Sequence, residues 1–171
     1  IHAPARFMGL IAGVVCVDVH FHHHLLPMLA EKADVLVLQF FSDWDLIPLL
    51  SMRKKLGKVT IFEANDFFFD LQPWNPIARS WQDREIQELY IQLLRLSDGV
   101  QTSTDYLAEQ WSKMGSCNVE VFPNQLVHLQ PLPNIVERPF TIGWAGSPGH
   151  FADLYHVAPY LQNWLDAHPD A

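Results

Sequence analysis

The chain has 171 residues, of which 49% are hydrophobic and 18% are charged, against about 25% charged residues in an average globular domain. This composition excludes a disordered chain and provides enough apolar side chains for one domain-sized core. Eleven basic and nineteen acidic residues give a net charge of −8, which argues against duplex nucleic acid and anionic membranes as partners.

The sequence predicts no transmembrane segment, because no stretch free of charged residues has the roughly 18 apolar residues that a spanning helix needs. No basic segment precedes the apolar residues 8–17, as a signal peptide would require. Two cysteines, Cys16 and Cys117, are too few for a disulfide framework. We therefore expect a soluble, cytoplasmic protein.

Short apolar runs rich in β-branched residues predict six strands, over residues 9–19, 34–40, 58–63, 98–102, 119–122 and 140–145. Their starts lie 21 to 40 residues apart, which leaves room for a crossover helix and is too long for a hairpin. Residues 35–38 are apolar without alternation, as in a parallel strand covered on both faces. The predicted fold is α/β, a Rossmann-like doubly wound parallel sheet with flanking helices.

Apolar residues at helical spacing predict the helices between these strands. Gly57 ends one of them, Pro27 interrupts another near its start, and a third begins after a Ser/Thr run and ends at Gly115. The predicted helices span residues 25–32, 48–56, 79–97 and 104–114, and a further helical stretch runs from 154 to 165.

Four of the twelve prolines fall within the 17 residues 123–139, which show no helical period. We interpret residues 125–139 as a proline-rich linker between two domains. Residues 1–124 then form the first, Rossmann-like domain. Residues 140–171 form the first βα unit of a second domain.

The segment 143–150 holds three of the eight glycines and lies where a predicted strand turns into a helix. Ser147 suits the N-cap and Pro148 the first helical position, so free N–H groups beside Gly146 and Gly149 can receive a phosphate oxygen. The spacing matches neither the P-loop nor the dinucleotide fingerprint. The alternative is a tight turn with no ligand.

Residues 145–149 also have the small-x-Ser-x-small outline of a hydrolase nucleophile elbow. In that elbow the backbone N–H after the nucleophile helps to form the oxyanion hole. Pro148 has no N–H to donate, which argues against a hydrolase.

Histidines at positions 20, 22, 23 and 24 form the one dense cluster of potential metal ligands in the sequence. No second group of Cys or His residues completes a structural zinc pattern. We therefore predict no metal site and interpret the cluster as a polar junction between elements.

Glu63 and Asp66 follow the strand predicted over residues 58–63, and open α/β sheets bind ligands beyond the carboxyl ends of their strands. These carboxylates can bind sugar hydroxyls, and the aromatic residues of segment 67–81 can supply a flat apolar surface for a sugar or lipid. The alternative is that the aromatic residues are core and the acids cap turns.

Taken in order, five segments resemble the large retaining family of GT-B glycosyltransferases, often called family 4. They are residues 34–39 (DVLVLQ), 62–66 (FEAND), 102–109 (TSTDYLAE), 119–124 (VEVFPN) and 142–150 (IGWAGSPGH). The resemblance implies two Rossmann-like domains and transfer of a sugar from a nucleotide diphosphate sugar to a glycan, lipid or other acceptor, with retention of configuration. It implies no metal and no other cofactor, and allows a peripheral membrane contact.

By position in the family pattern, Gly146, Ser147, Gly149 and His150 correspond to the turn near the donor diphosphate, and Glu63 and Asp66 to the acceptor side. The paired glutamates and basic residues that grip the donor lie later in such enzymes than this sequence extends. The resemblance therefore implies that these 171 residues are inactive alone and need a C-terminal partner domain. The alternative is a non-catalytic Rossmann-like binding or interaction module. The residues do not assign a catalytic side chain.

Overall fold

Four parallel strands form one sheet. The structure is a computed structural model and describes residues 6–39, 43–115, 118–125, 131 and 141–169. Strands β1 to β4 lie side by side in chain order, and their bounds are Val35–Gln39, Val59–Glu63, Gly99–Thr102 and Asn118–Val121. All three pairings are parallel. The predicted α/β, Rossmann-like fold is confirmed.

In the described part of the chain, besides a helical turn at residues 6–8, six helices and one short 3₁₀ turn accompany the sheet. They are α1 Leu26–Lys32, α2 Leu46–Lys55, α3 Ala78–Trp81, α4 Arg84–Leu96, α5 Asp105–Met114, the turn Pro148–His150 and α6 Phe151–Ala167. The Thr104 side chain accepts the N–H of Leu107 and so caps α5 as predicted. Gly57, just beyond α2, has a φ of +67°, which favours glycine and ends that helix.

The crossover helices cover a single face of the sheet. The strands follow one another in chain order, and right-handed crossovers that advance in one direction place the crossover helices of the first unit on the same side. On that side Phe62 meets the Tyr90 ring of α4 at 5.1 Å between ring centroids, and Tyr90 meets Trp111 of α5 at 5.6 Å. Phe62, Tyr90 and Trp111 are fully buried, so this side of the sheet holds the core.

The opposite face of the sheet is open in the described part of the chain. Val35 is 55% exposed, Val37 is 50% exposed and Val59 is 41% exposed. The expectation that β1 is covered on both faces is therefore wrong for the described residues. The physical reason is the strand order, because without a reversal of direction no crossover helix reaches this side.

Two predicted strands are not formed. Residues 9–19 contain only turns and irregular backbone, and Val15 among them is 89% exposed. Of the segment 140–145, residue 140 lies outside the described residues and 141–145 are not strand. Their β-branched composition favours a strand, but a strand also needs a neighbour that pairs with its backbone groups, and these segments have none among the described residues.

The helix predicted over residues 79–97 is interrupted. It is two helices, α3 and α4, separated at Gln82 and Asp83. The Asp83 carboxylate accepts the N–H of Glu85 at 2.8 Å, which starts a new helix at that point. Apolar spacing continues across the break and does not reveal it.

The chain divides into two compact units. The first comprises residues 1–67 and 87–129 and contains the sheet. The second comprises residues 68–86 and 130–171 and contains α3 and α6. The predicted linker lies almost wholly outside the described residues, and the predicted domain limits stay predictions. None of the described helices has the length and apolar character needed to cross a membrane.

Candidate functional site

Glu63 ends β2 and lies among side-chain amides. The register places it between Gln39, the last residue of β1, and Gln101 of β3. Its Oε1 accepts hydrogen bonds from Gln39 Nε2 at 2.9 Å and from Asn65 Nδ2 at 2.8 Å, and its Oε2 accepts one from Gln101 Nε2 at 3.0 Å. We call Glu63, Gln39, Asn65 and Gln101 the amide cluster. It lies at the carboxyl ends of three parallel strands.

The backbone that follows Glu63 is held in place by buried groups. The carbonyl oxygen of Ala64 accepts hydrogen bonds from Thr102 Oγ1 at 2.6 Å and from Trp111 Nε1 at 3.0 Å. Its N–H donates to the Gln101 carbonyl oxygen at 2.9 Å, and Ala64 itself is 1% exposed. Because these bonds connect β2 with β3 and α5, the amide cluster is built on rigid backbone.

The amide cluster has hydrogen-bonding capacity left for a ligand. An ionised carboxylate offers roughly four lone-pair positions, of which three are used in Glu63. Each of the three amides still presents its carbonyl oxygen and a second N–H. Glu63 and Gln101 are half-buried and Gln39 is exposed, so a ligand in solvent can reach the cluster. The arrangement suits a ligand that both donates and accepts hydrogen bonds.

Asp66, the second acidic residue predicted at this edge, is exposed and lies outside the amide cluster. The negative charge of Asp66 acts on the pKa of Tyr90, the buried tyrosine of α4. Burial raises the pKa of the Tyr90 phenol, and the negative charge of Asp66 raises it further. The phenol therefore remains protonated throughout the physiological range.

The aromatic residues of segment 67–81 are partly core. The Phe67 ring contacts Trp111 at 5.3 Å between centroids. In the second unit Phe68 is buried and stacks on Trp81 at 4.1 Å. Trp74, by contrast, is 62% exposed and is available to a ligand.

The predicted donor turn lies in the second unit, before α6. Ser147 and Pro148 take the predicted cap and first positions, but of the 3₁₀ turn rather than of the long helix, and the Ser147 side chain makes no capping bond. The N–H of His150 donates instead to the backbone carbonyl oxygen of Ser147 at 2.9 Å. At Gly146 a Cβ atom would lie 2.6 Å from the Trp144 ring, so this position accepts only glycine unless that ring moves.

A cleft of about 490 Å³ opens beside this turn within the second unit. Residues of the loop before α3 and of the start of α6 line it, including Trp74, Asn75, Gly149, His150, Asp153 and His156. His150 Nδ1 and Asp153 Oδ2 are 2.8 Å apart and form a hydrogen-bonded pair. The structure thus brings Gly149 and His150 together with side chains that the sequence alone did not connect to them.

The histidine cluster makes local contacts. His20 Nδ1 accepts the N–H of His22 at 3.3 Å, and His23 Nδ1 accepts the N–H of Leu25 at 3.2 Å. The rings of His23 and His24 stack at 4.7 Å between centroids. Among residues 6–39, 43–115, 118–125 and 141–169, no three His, Cys, Asp or Glu side chains converge in a way that could hold a metal ion.

Several members of the site were not predicted from the sequence, among them Gln39, Gln101 and Asn75. Gln39 and Gln101 are 62 residues apart, and only the strand register places both of them next to Glu63. Asn75 faces Gly149 across the loop of the second unit. A polar residue at the carboxyl end of each predicted strand was the available indication for the two glutamines.

Comparison with protein-family models, with curated proteins and with solved structures returned no match.

Proposed function

We propose that this chain is the acceptor-side domain, with the start of the donor-side domain, of a retaining glycosyltransferase of the GT-B class. Its reaction is transfer of a sugar from a nucleotide diphosphate sugar to a carbohydrate, lipid or other acceptor. The observation that carries the proposal is the amide cluster around Glu63 at the carboxyl edge of the parallel sheet.

Carbohydrates present hydroxyl groups that donate and accept hydrogen bonds at the same time. The amide cluster offers both kinds of partner within one small area, the free lone pair of Glu63 and the amide groups of Gln39, Asn65 and Gln101. A hydrogen bond to a carboxylate is stronger than one between neutral groups. In the proposed enzyme Glu63 orients an acceptor hydroxyl, and the exposed Asp66 provides a second carboxylate at the rim.

The donor diphosphate is assigned to the turn at Gly146, Ser147, Gly149 and His150. The turn precedes α6, a helix of 17 residues, and the N–H groups at a helix start favour an anion. The proposal expects further donor contacts from the rest of a second domain. It assigns no catalytic residue and no metal.

The acceptor part of the proposal is tested by titrating the chain with neutral oligosaccharides in isothermal calorimetry. We expect Glu63→Gln to weaken the affinity about tenfold, because it exchanges a charge-assisted acceptor for a neutral amide. Glu31→Gln is the matched control, since Glu31 is an exposed glutamate of α1, the helix that leads into the opposite end of β1. Equal affinity of both variants and the unaltered chain would contradict the proposal.

The donor part is tested with a panel of nucleotide diphosphate sugars and the same calorimetry. The proposal expects weak binding and no turnover, because much of the donor site is assigned to a second domain. Tight binding and turnover by the 171 residues alone would show that the donor site is complete within this chain.

A non-catalytic interaction module is the second candidate, and the open sheet face favours it. Val35, Val37 and Val59 expose apolar surface on one side of the sheet, where a partner chain can pack. Sedimentation velocity of the chain and of Val37→Lys tests it. Self-association that Val37→Lys abolishes, together with no saccharide binding, would favour the module over the glycosyltransferase.

A further inference from the structure

We infer that the cleft of the second unit binds a neutral pyranose ring, which stacks on Trp74. The inference deepens the proposed function, since Gly149 and His150 belong to the proposed donor turn. It rests on that function only in assigning the ring to a glycosyl donor. What it adds is a subsite for the sugar ring, next to the turn assigned to the diphosphate.

The size and surface of the cleft fit this ligand. Its volume of about 490 Å³ lies within the roughly 300 to 1,000 Å³ of small-molecule sites. Trp74 lines the cleft and is 62% exposed, so its indole can face a ligand. The apolar C–H face of a pyranose packs on such a ring, while the hydroxyl groups point outward to polar partners.

Two polar side chains of the cleft are already oriented. Asn75 Oδ1 accepts the N–H of Ile77 at 3.1 Å, which fixes the amide and leaves Nδ2 facing Gly149. The Asp153 carboxylate holds His150 through Nδ1, so Nε2 is the ring nitrogen that remains for a ligand. An oriented amide and an oriented imidazole, beside an aromatic surface, are suited to hydroxyl groups of fixed geometry.

The charge of the cleft favours a neutral sugar over a free anion. Among the described residues, those that line the cleft include the carboxylate of Asp153 and no Lys or Arg. The chain as a whole carries a net charge of −8. Without a fixed cation the cleft offers a phosphate little attraction, whereas a neutral hydroxyl can donate to Asp153 and accept from Asn75. The diphosphate therefore belongs to the backbone of the preceding turn, and the sugar ring to the cleft.

Gly149 and Asn75 approach each other closely in the cleft. A Cβ atom on Gly149 would lie 3.1 Å from Asn75 Nδ2, which is tighter than ordinary van der Waals contact. Gly149 thus lets the Asn75 amide approach the turn. We expect Gly149→Ala to displace Asn75 and to weaken sugar binding without removing the Trp74 surface.

The experiment is a titration of the ¹⁵N-labelled chain with methyl glycosides of glucose, mannose, galactose and N-acetylglucosamine, followed by NMR. A parallel titration uses inorganic pyrophosphate. We expect at least one glycoside to shift the Trp74 indole and Asn75 amide resonances, with a dissociation constant in the millimolar range. Trp74→Ala should weaken this binding about tenfold, because it removes the stacking surface. Trp44→Ala is the control, since Trp44 is a 50% exposed tryptophan of the first unit.

Three results would overturn the inference. They are no glycoside shifts in the cleft, equal binding by Trp74→Ala and the unaltered chain, and glycoside shifts confined to the amide cluster. The third leaves the proposed acceptor site standing, so the failure of the inference is distinguishable from that of the proposed function. The opposite outcome is also distinguishable. Glycoside shifts at Trp74 that pyrophosphate does not reverse would support the cleft. If the Glu63→Gln variant then binds oligosaccharides as tightly as the unaltered chain, the proposed acceptor site is contradicted.

Discussion

Gln101 Nε2 donates a hydrogen bond to Glu63 Oε2 at 3.0 Å, across the pairing of β3 with β2. The two residues are 38 positions apart and are neighbours only because the strands are parallel and in this register. The bond closes one side of the amide cluster, and Gln39 closes the other. The half-buried carboxylate therefore has a fixed position at the sheet edge, as a binding residue needs.

Glu63→Gln should lower the stability of the chain as well as its affinity for saccharides. One oxygen of the carboxylate becomes an NH₂ group that faces an amide donor, so at least one of the three hydrogen bonds is lost. We expect a loss of about 1 to 2 kcal/mol in the free energy of unfolding. Urea unfolding measures it, with Glu31→Gln as a control that should change stability by less than about 0.5 kcal/mol. If Glu63→Gln unfolds at the same urea concentration as the unaltered chain, the negative charge of Glu63 does not stabilise the amide cluster.

Arg53 is fully buried, and among the polar residues of the first unit its substitution should lower the free energy of unfolding the most. Its guanidinium donates to Thr60 Oγ1 at 3.0 Å, to the Ala33 carbonyl oxygen at 3.0 Å, and to the carbonyl oxygens of Ala30 and Val59. Burial lowers its pKa, and the charges of nearby carboxylates oppose that shift. These bonds join α1, α2 and β2.

We expect Arg53→Met to cost about 3 kcal/mol or more, because several buried acceptors lose their donor. Arg95→Met is the matched control. Arg95 is exposed, its Nε bonds to the Met114 carbonyl oxygen at 3.2 Å, and its replacement should cost about 1 kcal/mol or less. Thermal unfolding followed by circular dichroism separates the two. Equal losses would contradict the structural role assigned to Arg53.

Tyr90 predicts a loss of stability at alkaline pH. Since burial raises its pKa in the folded state, the unfolded chain releases the phenol proton first as the pH rises. The resulting contribution to the free energy of unfolding is fully present below about pH 10. Above that pH it declines, by up to about 1.4 kcal/mol per pH unit. Tyr90→Phe should flatten the decline in urea unfolding between about pH 10 and 11, whereas Tyr106→Phe, at an exposed tyrosine, should not. An unchanged slope in Tyr90→Phe would show that another group causes the decline.

Thr104 should stabilise α5 through its N-cap bond to Leu107, which is 3.2 Å long. Thr104→Ala removes the acceptor and should cost about 1 kcal/mol, while Thr104→Asp keeps an acceptor and should cost little. Chemical denaturation of the two variants measures the difference. Similar stability of both would mean that this bond contributes little to α5.

Much of the sheet was predictable because its strands are short apolar runs with clear limits. β2 begins one residue after its predicted start and ends at Glu63 as predicted, and Gly57 marks the end of α2. Residues 9–19 were also predicted to form a strand and do not form one. β propensity is a property of the segment itself, whereas a strand also needs a neighbouring strand to pair with. The break before α4 was not predicted, because the apolar spacing continues across it. There the Asp83 carboxylate accepts the N–H of Glu85, and this local hydrogen bond starts a new helix.

The candidate site was predictable in part. Glu63 and Asp66 were identified from their place after a strand, and the glycine turn from its composition. The glutamines at positions 39 and 101 depend on register, which a single sequence does not determine. The approach of Asn75 to Gly149 joins segments more than 70 residues apart, and no local pattern indicates it.

The central claim, that the amide cluster binds a carbohydrate acceptor, is tested most directly by the side-chain NH₂ resonances of Gln39, Asn65 and Gln101. Two-dimensional ¹⁵N NMR of the labelled chain follows these resonances as a panel of neutral oligosaccharides is added. The account predicts that one or more oligosaccharides shift all three in a saturable manner, and that Glu63→Gln weakens the effect about tenfold. Resonances that stay in place while an oligosaccharide binds elsewhere, or while none binds at all, would contradict it.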